Sequence, residues 1–95
     1  MSYLDKIAAS IERQVPSEAL PPDDTKLLFH LYALLALLKG RETTASDVHD
    51  AWSVWMLEIN PDHPSIRPFS ELTSHLQAYG EPFVHAIRVI AETLE

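Results

Sequence analysis

The sequence contains no cysteine and only two glycines, Gly40 and Gly80. Without thiols there is no disulfide, no cysteine-based zinc site and no thiol nucleophile. Without a glycine cluster there is no phosphate-cradling loop of the kind found at nucleotide sites. Cations are scarce as well: 7 Lys and Arg stand against 14 Asp and Glu, giving a formal charge of −7. A protein that binds nucleic acid non-specifically needs clustered Lys and Arg to displace counterions from phosphates, so nucleic acid is not an expected partner. The negative charge is spread along the chain and reads as solubilising charge rather than as a dense carboxylate array. The amino terminus, Met1-Ser2-Tyr3-Leu4-Asp5-Lys6, has no basic segment followed by an apolar run. No signal peptide is expected, and a cytoplasmic location is the default.

What the chain does have is one strongly apolar run, Leu27 to Leu38, in which His30 is the plainly polar residue. A bilayer span takes about 20 apolar residues, and this run is closely flanked by Asp23, Asp24 and Lys26 on one side and Lys39, Arg41 and Glu42 on the other. It is therefore expected to be a central helix enclosed by protein on every face, with no membrane contact. A length of 95 residues and 46% hydrophobic content suit a single globular domain over 1–95.

The remaining elements are helical too. Ser2 with Asp5 forms a capping-box pattern, and Leu4, Ile7, Ala8, Ile11 and Val15 follow helical spacing until Pro16. Asp23 or Asp24 is expected to cap the central helix, and Lys39-Gly40 to close it. Thr44 and Asp47 repeat the capping pattern, so a third helix runs antiparallel to the second, with Val48, Ala51, Trp52, Trp55 and Ile59 as its core stripe. Asn60-Pro61 stops it, and a proline-punctuated loop follows through Phe69. Thr73 caps a short helix to about Tyr79, Gly80 ends that helix, and Pro82 opens a last one. The fold class is all-α, a bundle of four to five helices with a proline-rich loop between the third and fourth.

No metal, cofactor or catalytic motif accompanies this fold. Five histidines, His30, His49, His63, His75 and His85, lack the i, i+4 spacing of a zinc pair. Ser46, Asp47, His49 and Asp50 share one helix, but without a nucleophile elbow or an oxyanion-hole signal they make no triad. The expectation is a protein that is not an enzyme.

Val48-His49-Asp50-Ala51-Trp52, followed by His63-Pro64-Ser65-Ile66-Arg67-Pro68-Phe69-Ser70-Glu71-Leu72-Thr73, resembles the ryanodine-receptor repeat over about residues 47–90. That family shows His-x-x-Trp on a helix, then His-Pro, two apolar residues, a second Pro, an aromatic residue and a Leu-Thr that opens the next helix. The chain departs from it at Ser65, where the family has an apolar residue, and at Gly80, where it has an acidic one. The whole chain also resembles a family of small uncharacterised actinobacterial and actinophage proteins. These resemblances imply a non-enzymatic helical module, either binding a host protein or sensing a small, nucleotide-derived ligand.

Two functional expectations stand side by side. In the first, an acidic interaction module uses Val54, Leu57, Asp50 and Glu58, on the outer face of the third helix, to bind a host or cellular protein or a second copy of the chain. In the second, His49, Trp52, Arg67 and Phe69 line a pocket for a weakly charged ligand between that helix and the proline loop.

Overall fold

The computed structural model describes residues 1–94, and its first helix begins where the sequence signals it. Ser2 Oγ accepts a hydrogen bond from the Asp5 N–H at 3.1 Å, and the Asp5 carboxylate accepts from the Ser2 N–H at 2.9 Å, a complete capping box opening α1 (Tyr3–Gln14). Ile7, Ala8 and Ile11 on one stripe are buried, with Val15 beneath the helix end. Pro16 then leads into a single 3₁₀ turn at Ser17–Ala19.

The central helix α2 (Lys26–Leu38) starts at Thr25, whose side chain makes no cap. The Asp24 carboxylate instead accepts from the Lys26 N–H at 3.0 Å. Thus an aspartate does satisfy an orphan donor here, from one residue further out than a true N-cap. Gly40 ends the helical region with φ of +58°, a conformation that costs a side-chain-bearing residue energy.

A 3₁₀ turn at Gly40–Glu42 connects to α3 (Ala45–Ile59), which Thr44 and Asp47 open with a second capping box. The α2–α3 hairpin is antiparallel and pinned at both ends. Trp55 Nε1 donates to the Asp24 carbonyl at 3.0 Å, and Lys39 Nζ lies 3.5 Å from the Asp47 carboxylate. Thr73 caps the one-turn α4 (Ser74–Gln77), a 3₁₀ turn at Ala78–Gly80 follows, and Pro82 sits in the first turn of α5 (Glu81–Thr93). Helix α5 packs against α1, α2 and α3 and closes the core.

Two features make that closure possible. Ala33 and Ala36 of α2 and Ala86 of α5 are buried in the core, where small side chains allow packed helices to approach closely. Thr43 is also completely buried: its hydroxyl donates to the Gly40 carbonyl at 2.8 Å and its own carbonyl accepts from Arg88 Nε of α5 at 2.9 Å. The hairpin turn is thereby tied to the last helix.

The structure corrects two packing expectations. Helix α2 is not enclosed on every face: Leu28, Phe29, Tyr32, Ala33 and Ala36 are buried, but Leu27, Leu34 and Leu37 are nearly half exposed and Leu38 is 73% exposed. Helices α1, α3 and α5 surround one side of it, which leaves those leucines on the other side open to solvent. The stripe on α3 divides as well. Trp55 is buried against the start of α2, whereas Trp52 turns toward the proline loop and Ile59 is exposed.

His30 joins α1 to α2. Its Nδ1 lies 2.6 Å from the Lys26 carbonyl and its Nε2 lies 2.7 Å from the Asp5 carboxylate, so only the doubly protonated ring donates to both. The Lys26 carbonyl, then Asp5, raise the His30 pKa above its ordinary 6.5. The Ser2 N–H, then His30 and the Ser2 hydroxyl, hold the Asp5 carboxyl well below 3.8.

The pH dependence follows from these two shifts. The His30 contribution is complete below pH 6.5 and is lost as pH rises through the raised value; the Asp5 contribution is present above 3.8 and is lost as pH falls below it. Thermal unfolding between about pH 5 and about pH 8 is expected to show a melting temperature that falls with pH, a slope that His30→Gln flattens. In the core, Phe29→Ala is expected to destabilise the fold by about 3–5 kcal/mol in urea titrations.

Candidate functional site

The proline loop after α3 folds back along that helix. Ring contacts and one short hydrogen bond hold it there. His49 Nε2 donates to the Arg67 carbonyl at 2.7 Å, while its ring stacks on Trp52 with centroids 5.5 Å apart and planes 19° apart. The His63 ring meets the Trp52 indole edge-on at 5.1 Å, and Phe69 lies 6.1 Å from His49. Near-parallel and edge-on arrangements are those that ring quadrupoles favour. The two halves of the sequence pattern, His49-x-x-Trp52 and the His63-Pro64 loop, are therefore parts of one contact.

Between this aromatic wall and the segment from α4 to the start of α5 runs a cleft of about 550 Å³. Val48, His49 and Trp52 form one side; Leu76, Tyr79 and Pro82 form the other; Tyr32 and Phe83 lie at its base. Among the described lining residues Glu18 is the one carboxylate, and no Lys or Arg lines the cleft.

The structure sorts the expected site residues into separate places. His49, Trp52 and Phe69 come together on the cleft wall. Arg67 does not join them: it is exposed, and its Nε donates to the Pro64 carbonyl at 3.1 Å. Its contribution is its backbone carbonyl, because a chain punctuated by Pro64 and Pro68 turns the peptide toward α3 and the guanidinium away. Asp50, Val54, Leu57 and Glu58 are all exposed on the solvent side of α3, with Val54 49% and Leu57 48% accessible.

Sequence reasoning missed the base of the cleft. Tyr32 was absorbed into an apolar run, although a phenol among leucines has a hydroxyl to place. Its ring is 1% exposed and is held edge-on by Phe29 at 5.6 Å and against Phe83 at 5.4 Å. Burial raises its pKa, so the hydroxyl is a neutral donor.

Neither aspartate near His49 is arranged as its orienting partner. The Asp47 carboxylate is taken up by the Thr44 cap and by Lys39. Burial opposes its ionisation, but the Thr44 N–H and hydroxyl together with Lys39 outweigh that effect and lower its pKa. The Ser53 hydroxyl donates to the His49 carbonyl at 2.9 Å. Among the described residues no group of three or more His, Cys, Asp or Glu is placed to hold a metal ion, and no helix is long and apolar enough to cross a membrane.

The described residues form a small all-α domain with an aromatic cleft and a leucine-faced hairpin. Residues 2–92 match a family described as a domain of unknown function, DUF7701, and the chain belongs to that family. No curated protein and no solved structure matches it.

His49→Phe keeps an aromatic ring beside Trp52 and removes the bond to the Arg67 carbonyl. Hydrogen exchange over residues 61–68 is expected to accelerate while α1 and α2 keep their protection, with a stability loss of about 1 kcal/mol. Unchanged exchange would show that ring packing alone holds the loop.

Proposed function

We propose that the protein is a non-enzymatic interaction module whose docking surface is the solvent face of the α2–α3 hairpin. The observation that carries this reading is the stripe Leu27, Leu31, Leu34 and Leu38. These residues recur at +4, +3 and +4 along one side of α2; Leu27, Leu34 and Leu38 are exposed there, and Leu31 between them is partly buried against the core. That spacing is the d-a-d-a register of a helix seam, which buries leucine against a second apolar helix. Three of the four are 44–73% exposed. On the neighbouring helix, Val54 and Leu57 add apolar surface, and Asp50 and Glu58 supply a polar rim.

Charge favours an antiparallel arrangement if the partner is a second copy. Asp23 and Asp24 precede α2, whereas Lys39 and Arg41 follow it. An antiparallel pair brings acidic ends to basic ends and aligns the helix dipoles favourably; a parallel pair opposes like charges. A twofold seam of this kind is self-complementary. A host or cellular protein with an apolar helix of similar end charges is the other occupant of the same class. The resemblance to the ryanodine-receptor repeat supports a helical module without catalytic machinery, and the resemblance to actinophage proteins supports a host protein as the alternative occupant.

Sedimentation of the full chain from about 1 µM to about 1 mM tests the reading. Self-association is expected, and Leu34→Asp is expected to give a monomer with unchanged helical circular dichroism. Leu57→Asp reports whether α3 shares the surface. A wild-type chain that stays monomeric throughout and captures no host protein dependent on Leu34 would overturn the proposal.

A further inference from the structure

The cleft on the opposite side of α3 has chemistry that the docking surface does not use. Its volume of about 550 Å³ lies within the range of small-molecule sites, and its walls are mainly aromatic and aliphatic. The unusual group is Tyr32. The hydroxyl of this almost wholly buried side chain makes no hydrogen bond with any described residue, although the residue lines the cleft. Among the described residues no fully buried side-chain polar atom lacks a partner. Tyr32 lines the cleft, and a buried phenol without a protein partner is a donor for a ligand that enters there.

Two further groups on the wall have polar atoms to offer. His63 Nδ1 accepts from the Ser65 N–H at 3.0 Å, which places the proton of the neutral ring on Nε2. The Trp52 indole N–H has no partner among the described residues, in contrast to that of Trp55. The donors thus come from uncharged rings. With no Lys or Arg on the lining and Glu18 at the surface, an anionic ligand meets no counter-charge.

We infer that this cleft binds a planar, uncharged nitrogen heterocycle of about two fused rings, stacked on the aromatic wall at Trp52 and accepting a hydrogen bond from the Tyr32 hydroxyl. Ring stacking supplies the affinity, and the donors select a ring nitrogen or carbonyl acceptor over a hydrocarbon. A phosphorylated form of the same heterocycle is disfavoured by the absence of cations and by the charge of −7 on the chain.

The test is a titration of the ¹⁵N-labelled full chain with adenine and with quinazolin-4-one, with adenosine monophosphate as the charged comparison. At least one neutral probe is expected to shift the Trp52 indole N–H saturably while the Trp55 indole N–H stays in place. Tyr32→Phe keeps the ring, its packing and the fold, and is expected to weaken that probe about five- to tenfold. Leu34→Asp is expected to leave the titration unchanged, so failure of the docking surface and failure of the cleft are told apart. The inference is overturned if neither neutral probe moves the Trp52 signal, if Tyr32→Phe binds as well as the parent, or if adenosine monophosphate binds more tightly than adenine.

Discussion

Phe29, Tyr32 and Phe83 meet ring against ring where α2 crosses the start of α5, and the rest of the molecule depends on that contact. Phe29 and Tyr32 are a helical turn apart on the core face of α2, and Phe83 enters from the first turn of α5 immediately after Pro82. Edge-on and tilted packing of three large rings buries much of the apolar area available to a chain this small. The same three rings serve two regions: toward α1 they complete the core, and toward the proline loop Tyr32 and Phe83 become the base of the cleft. A substitution that loosens this cluster therefore affects stability and site geometry together.

Helix ends were legible in the sequence because their determinants are local. Ser2 with Asp5, Thr44 with Asp47, and Thr73 before α4 each act within a single turn, and each makes the bond its spacing implies. Gly40 likewise takes the positive φ expected of a residue that closes a helix. The relation of His49 to the proline loop was also readable as a pattern, although the accepting atom is the Arg67 carbonyl and could not be named from spacing.

Packing was less legible because periodicity describes one helix and burial depends on its neighbours. In α2 nearly every position is apolar, so no stripe distinguishes the enclosed side from the open one; Leu28 is wholly buried while Leu27 beside it is 44% exposed. The two tryptophans of α3 show the same limit. Their spacing places both on one broad face, but Trp55 finds a backbone acceptor at Asp24 and Trp52 finds rings from a loop that returns from further along the chain. Arg67 fell outside the cleft because two prolines fix the path of the backbone, which a residue-type argument cannot follow. Tyr32 and Thr43 escaped notice for a related reason: their importance comes from atoms supplied by α5, Phe83 for one and Arg88 for the other.

The link from Arg88 to the Thr43 carbonyl bears on the proposed docking surface. It fastens the hairpin turn to the last helix, while Trp55 fastens the opposite end of the hairpin through Asp24. The leucine stripe is thus held at both ends on a frame that does not have to fold before it meets another surface. In the proposed docking, little backbone entropy of this hairpin would remain to be lost. On that reading complementarity of shape would decide between partners, and a helix with the wrong curvature would be rejected even when its residues are suitably apolar.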